Sequence, residues 1–271
     1  MKILSDLHVH TSASSCCHDT EQTIGNITEI SKNMGLKKIG FTDHVWISDK
    51  YEPSSFYGKQ TGEAHFKLKE TARSRDWGIE VLVGCEADMI APGKFGITDD
   101  FRTKMDYVIL ASDHFHMRDF VEQPSSSDPK TLGAHMLSFF ISAAESELGD
   151  VLAHPLFPLG FIDMYDSAMA SISDAELFDA CARAASKNMG IEINVCYLPD
   201  EAKKRFFSIE TPIRFISIAK EAGCRFTFGS DAHSLKELKS LERLEYFIDA
   251  AGVEAKDIHA LANVTMNQTS I

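Results

Sequence analysis

Ser5-Asp6-Leu7-His8-Val9-His10, which follows the apolar pair Ile3-Leu4, places two histidines two residues apart on a short extended run. Side chains two apart on a strand leave from the same face, so both imidazoles can reach one cation. A lone His-x-His recurs by chance in many chains. Here the pattern spreads outward. Asp43-His44 follows Ile39-Gly40-Phe41, Glu86 follows Val81-Leu82-Val83, and His114 follows Val108-Ile109-Leu110. His154 follows Val151-Leu152, and Asp231 with His233 follows Phe226-Thr227-Phe228. Histidines that only filled a core would not keep returning to the position where an apolar run stops.

Between these runs lie segments of helical character. Ile24, Ile27, Ile30 and Met34 are spaced as one helix face within Thr20 to Met34, which stops at Gly35. Gly62 to Trp77 reads as a second helix. Asp128-Pro129 opens a third, with Pro at its first position and Leu132, Met136, Phe139 and Phe140 on its buried face. Ser173-Asp174-Ala175-Glu176 is a capping box for a helix ending at Gly190. Thr211-Pro212 begins another, closed by Gly223, and Leu235 to Ala251 reads as one last long helix. Residues 88–104, 115–128 and 155–172 carry turn signals rather than a long element. Seven strands alternating with helices predict a parallel sheet, and functional groups at every strand C-terminus predict a (β/α)7 TIM-like barrel, in which those ends share one mouth. An open doubly wound sheet, the alternative, would concentrate function at one switch point. Length and even composition predict a single domain over 1–271.

The formal charge is −13, from 40 acidic against 27 basic residues, with no basic stripe to offset it. Such a field repels duplex nucleic acid, whereas bound divalent ions would reverse its sign locally for a small anionic substrate. No apolar run reaches membrane-spanning length, no leader pattern precedes the first strand, and the six cysteines lack CxxC spacing, so a cytoplasmic protein with reduced thiols is expected.

His8, His10, His44, Glu86, His114, His154, Asp231 and His233 supply six imidazoles and two carboxylates. One divalent ion takes about four protein ligands, or three with an open position, so these eight groups suffice for two or three ions. Imidazole with carboxylate suits zinc, manganese or iron, whereas a magnesium site is built from oxygen. His65, His135 and His259 fall within helical patterns and are expected to be structural or exposed.

Asp6-Leu7-His8-Val9-His10-Thr11, Phe41-Thr42-Asp43-His44, Gly84-Cys85-Glu86-Ala87-Asp88, Ser112-Asp113-His114-Phe115, Ala153-His154-Pro155 and Gly229-Ser230-Asp231-Ala232-His233 resemble, in order, the motifs of the polymerase-and-histidinol-phosphatase (PHP) family. The resemblance runs from residue 3 to about residue 258. It implies a distorted seven-stranded (β/α) barrel with a trinuclear metal centre that hydrolyses phosphoesters. By position, His8, His10, Glu86 and Asp231 would hold one ion, and a bridging Glu86 with His114 and His154 a second. His44 and His233 would hold a third with one further ligand. The family places a histidine six residues after the second motif histidine, where this chain has Cys16. His18, two residues on, is the expected ligand if the loop carries an insertion; a Cys16 thiolate and a weak third site are the alternatives. Asp106 and His114 are eight apart, one more than the family's spacing, which makes His116 a lesser candidate for the role of His114.

The resemblance predicts hydrolysis of a small phosphomonoester such as histidinol phosphate, by hydroxide generated at the metal centre and attacking phosphorus in line. His233 or Asp43 would assist proton transfer. A protein cation should meet the phosphate. Lys203 and Arg205, in the run Lys203-Lys204-Arg205 after the sixth strand, are expected first, and Arg118 second. A phosphodiesterase or exonuclease, or a non-catalytic protein binding metal or a phosphorylated ligand, are the competing functions. The former is disfavoured by the charge.

Overall fold

The computed structural model describes residues 1–264, so the last seven residues of the expected 1–271 domain lie outside the described residues. Ten short strands build the sheet: β1 (Ser5–Val9), β2 (Lys38–Phe41), β3 (His44–Val45), β4 (Glu80–Val83), β5 (Cys85–Ala91), β6 (Lys94–Phe95), β7 (Val108–Ala111), β8 (Val151–Ala153), β9 (Gly190–Asn194) and β10 (Arg225–Gly229). They make up the seven expected staves plus one hairpin arm. β2 continues into β3 and β4 into β5, each across a short break. The breaks stay in step because Gly84 N–H donates to Phe41 O at 2.9 Å and Glu86 N–H to Asp43 O at 3.1 Å. β6 folds back antiparallel on β5. All other pairings are parallel, in the order β1-β2-β4 and, continuing around, β3-β5-β7-β8-β9-β10.

The ring closes where Asp231 N–H donates to His8 O at 2.8 Å, His10 N–H donates to Ala232 O at 3.2 Å, and Val9 bridges Ala232. This is a distorted (β/α) barrel, and its seam runs through the His-x-His stretch. β1 shifts register against β2 between Asp6 and Val9, so the strand is irregular at His8, as strands often are where they aim a functional side chain.

Helices α1 (Ile24–Asn33), α2 (Gly62–Arg73), α3 (Asp99–Arg102), α4 (Pro129–Glu145), α5 (Tyr165–Ser171), α6 (Asp174–Ser186), α7 (Glu210–Glu221) and α8 (Leu244–Ala250) cover the outside. Four of the starts carry side-chain caps. Thr23 caps α1, Asp128 accepts from Thr131 N–H with Pro129 next in line, and Ser173 with Glu176 forms the expected capping box of α6. Leu132, Met136, Phe139 and Phe140 of α4 are buried with Leu110 and Leu152 in the main core.

Three expectations about elements are corrected. α6 stops at Ser186, and Asn188 rather than Gly190 takes the left-handed turn (φ 54°), because Gly190 already pairs as the first residue of β9. Leu235 to Ala251 is not one helix but a 3-10 segment, Glu237–Arg243, followed by the short α8. The turn-rich stretches hold short elements of their own: the β5–β6 hairpin and α3 within 88–104, and a 3-10 turn, Ile162–Met164, with α5 within 155–172. Among the described residues no helix is long and apolar enough to cross a membrane.

Candidate metal centre

The ligands come from strands or from the residues just after them, and meet at one mouth of the barrel. His8 lies in β1 and His10 one residue after it; His44 opens β3 and sits opposite Glu86 of β5 in register. His154 follows β8, His114 comes three residues after β7, and Asp231 and His233 follow β10. His8, His10, His44, Glu86, His114 and His154 are buried, while Asp231 and His233 are partly open to the cavity.

Their donor atoms form groups spaced for cations. His8 Nε2 lies 3.2 Å from His10 Nε2, 3.3 Å from Glu86 Oε2 and 3.4 Å from Asp231 Oδ1. His10 Nε2 lies 3.3 Å from Glu86 Oε2 and 3.2 Å from Asp231 Oδ1. Each carboxylate oxygen thus stands close enough to the His8–His10 pair to share a cation with both imidazoles. The other oxygen of the same carboxylate, Glu86 Oε1, faces His154 Nε2 at 3.2 Å and His114 Nε2 at 3.6 Å. Glu86 therefore offers one oxygen to each of two adjacent positions. The residues present fit metal ions, and the donor set of nitrogen and oxygen suits zinc, manganese or iron.

A shell of carboxylates behind the imidazoles fixes their tautomers. His8 Nδ1–H donates to Glu192 Oε1 at 2.8 Å, His154 Nδ1–H to Asp113 at 2.9 Å, and His114 Nδ1–H to Asp88 Oδ1. In each case the Nε2 lone pair is left pointing at the cluster, the arrangement of metal-binding histidines. Tyr57 O–H donates to the other oxygen of Asp88. Two ligands sit on left-handed backbone that non-glycine residues seldom adopt, His154 (φ 31°) and Asp231 (φ 54°). The His154 N–H is held by Glu192 Oε2 at 2.6 Å.

The electrostatics match. Burial opposes charge on His8 and His44, but Glu192, Asp231 and Glu86 around the first, and Glu86 and Asp88 around the second, outweigh it and hold both imidazoles up to about 10. Burial likewise opposes charge on Glu86 and Asp231, yet the surrounding imidazoles hold both well below the usual carboxylate range. Without an ion, protons supply the positive charge that this site demands.

The expected third group forms, with a different member. Donor atoms of His10, Cys16, His44 and His233 all lie within 4.8 Å of one another. His18 is exposed and outside the group. The loop after β1 makes two successive tight turns, Ser14 N–H to Thr11 O at 3.0 Å and Cys17 N–H to Ser14 O at 3.1 Å. Those turns bring residue 16 back over His10, and no insertion is left to carry His18 there. His114 meets Glu86 and His154, whereas His116 is exposed at the mouth, so the extra residue in that motif does not move the ligand.

Asp43 is corrected as a proton carrier. Both its oxygens are taken by Thr11, from N–H and from O–H, at 2.6 Å each, and it does not line the cavity. His233 Nδ1–H donates to Asp231 O at 2.8 Å, so its one free nitrogen can ligate or carry a proton but not both. Lys203 and Arg205 are corrected too. Lys203 pairs with Glu237 at 2.6 Å, Arg205 is buried against Asp200 and Val195 O, and neither lines the cavity. Arg118 does line it. His65, on Asp43 O at 2.8 Å, and His259, on Asn188 O at 3.1 Å, are structural as expected, and His135 donates to Glu122 O at 3.0 Å.

A (β/α) barrel whose strand ends converge on clustered imidazoles and carboxylates is the build of a metal-dependent hydrolase. The chain matches the PHP domain family over residues 6–195 and belongs to it. Its relatives include a "Probable phosphatase" of Clostridium botulinum, 28% identical over 257 residues that cover 93% of this chain and 88% of the relative. Another, from Aliivibrio fischeri, is 27% identical over 252 residues, covering 92% and 85%. With that family and these relatives, the enzyme is a phosphoesterase. Among solved structures, the Lactococcus lactis histidinol phosphate phosphatase, complexed with zinc, L-histidinol and phosphate, superposes with a TM-score of 0.58 at 18% identity over 92% of this chain and 94% of that one. The Listeria monocytogenes HisK protein does so with 0.63 at 14% over 86% and 96%. At these identities the two structures bear on the fold.

Proposed function

We propose that this protein hydrolyses the phosphomonoester of a small metabolite at a centre of two to three divalent ions, of zinc, manganese or iron. The observation that carries the reading is the donor geometry: Nε2 of His8 and of His10 lie within 3.4 Å of carboxylate oxygens of both Glu86 and Asp231, and the other oxygen of Glu86 faces His154 and His114. Ions held there supply Lewis acidity, polarising phosphoryl oxygens and acidifying water.

The chain's own residues do the rest. His8, His10, Glu86 and Asp231 would hold one ion, and Glu86, His114 and His154 another. Glu192, Asp88 and Asp113 each hold an Nδ1–H of an imidazole and so aim Nε2 inward at the cluster. The cavity above them has a volume of about 730 Å³, which suits a metabolite rather than a polymer. Among the described residues Arg118 is the one lysine or arginine lining it, at the mouth over the Phe161 ring, and supplies a guanidinium to a phosphate dianion. Phe56, Met117, Phe120 and Leu159 give the cavity an apolar wall that takes the organic part of the ester and keeps bulk water out. Histidinol phosphate is the first candidate, from the family resemblance. The unpaired state of all six cysteines fits a reducing compartment, and a cytoplasmic setting is part of this reading.

The test is turnover of p-nitrophenyl phosphate beside its bis-ester. Monoester hydrolysis that a chelator abolishes and added zinc or manganese restores is the expected result. Hydrolysis of the bis-ester alone would replace the reading with a phosphodiesterase. A metal-loaded protein inert on both, and on histidinol phosphate, would reduce it to a binding protein.

A further inference from the structure

We propose that the third group is a thiolate metal position, with Cys16 ligating beside His44 and His233, and that it therefore takes a thiophilic ion, zinc or ferrous iron, in preference to manganese or magnesium. The proposal rests on the reading that this cavity holds ions. It goes beyond that reading by giving one position a different ligand chemistry from its neighbours.

The geometry divides the labour within the group. His10 has already turned Nε2 to His8, Glu86 and Asp231, and its Nδ1 faces Cys16 Sγ at 3.9 Å. Its ring thus stands behind the sulfur as an N–H donor, as a partner that orients a ligand does. His233 has spent Nδ1 on the carbonyl of Asp231 and keeps Nε2 for the cluster. His44 is buried, and its Nδ1 makes no hydrogen bond although Glu86 Oε2 lies 3.2 Å and Asp88 Oδ2 3.4 Å away. A buried imidazole left unsatisfied in this way calls for a missing partner. Cys16 itself is fixed: Gln60 Oε1 accepts from Ser14 O–H at 3.0 Å and Ser15 N–H at 3.1 Å, which pins the turn that presents the thiol.

The chemistry separates this position from the other two. The carboxylates within reach are engaged elsewhere, Glu86 and Asp231 with His8 and His10, and Asp88 with His114 and Tyr57, so the sulfur is the anionic donor that the third position has to itself. Imidazole plus thiolate favours zinc and iron, while manganese and magnesium favour oxygen. Cys16 also borders the cavity, so a reagent can reach the sulfur when the position is empty.

The test uses cobalt(II) as the probe. Ion-free protein titrated with cobalt should bind about three equivalents. It should develop a thiolate-to-cobalt charge-transfer absorption in the near ultraviolet. Cys16→Ser should lose that absorption together with about one equivalent. Cys16→His should recover the equivalent without the absorption, and His18→Ala should keep both. As a check free of any substitution, alkylation of Cys16 in the wild type, mapped by peptide mass, should be blocked by zinc at full loading but not by manganese. Cobalt bound without the charge-transfer band, or a Cys16→Ser protein with an unchanged spectrum and count, would overturn the proposal and leave the hydrolase reading standing. Alkylation of Cys16 undiminished by zinc would overturn it as well, and would turn attention to the thiol as a nucleophile. A protein that binds no cobalt would instead bring down the reading on which the proposal rests.

Discussion

Glu192 holds two ligands with one carboxylate, His8 through Nδ1–H and His154 through its backbone N–H. Replacing it with Gln keeps the size and removes the charge that favours the inward-facing tautomer. Glu192→Gln is expected to lower metal affinity by about 10–100-fold with the fold retained, as read by competition with a chelating dye. Gly229 is the complement of this contact. A Cβ there would stand 1.8 Å from Glu192 Oε1 and 2.6 Å from His8 Cβ, so Gly229→Ala should displace both and cost the first ion. Adding Glu192→Ala to Gly229→Ala should recover thermal stability but not the ion, a non-additivity that separates crowding from ligation. Proton counting offers a third check. With His8 and His44 held up to about 10, both carry protons at pH 7 in the ion-free protein. Ligation requires them neutral, so loading zinc in weak buffer should acidify the solution. The sign for stability runs the other way: these raised values stabilise the ion-free fold fully below the ordinary 6.5, and that contribution is lost as pH rises through about 10. The ligands themselves were legible in the sequence because barrel strands present them at their ends. Glu192 was not. Within Gly190-Ile191-Glu192-Ile193-Asn194 it looks like ordinary alternation, yet every residue of β9 is buried, since the inner face of a barrel near its mouth is lined by the site itself.

At the scale of elements, side-chain caps mark the starts of α1, α3, α4 and α6, whereas α2, α5, α7 and α8 begin without one. Ser173 and Glu176 satisfy each other's backbone N–H groups at the exposed start of α6, far from the metal ligands. Ser173→Ala should cost about 1 kcal/mol and leave metal content unchanged, a contrast measurable by thermal melting beside elemental analysis. The stretch after β10 shows where periodicity misleads. Leu238, Leu241 and Leu244 recur at three-residue steps, a spacing that suits the tighter 3-10 turn as well as an α-helix, and the former is what Glu237–Arg243 adopts. Loops were the least readable. Whether Cys16 or His18 reaches the cluster depends on two turns between Thr11 and Cys17 that leave no periodic trace. The fate of Lys203 and Arg205 turns on partners, Glu237 and Asp200, of which Glu237 lies more than thirty residues away.

Across the whole molecule, charge and topology act together. A net charge of −13 is unfavourable to any anionic substrate unless the mouth is locally positive, and the buried carboxylates achieve this only by gathering cations. The barrel's first and last strands meet with few main-chain bonds, those of His8, His10, Asp231 and Ala232. The first set of donors spans that same seam, with His8 and His10 on one side and Asp231 on the other. An ion there acts as a clasp. Chelator treatment is therefore expected to lower the melting temperature and to open the region around residues 6–10 and 229–233 to hydrogen exchange, while α4 and α6 stay protected. A cell short of metal would then lose this protein in a second way besides idleness. Unclasped chains would pass more often through open forms that proteases cut, so the number of molecules surviving, and not just the fraction at work, would track metal supply.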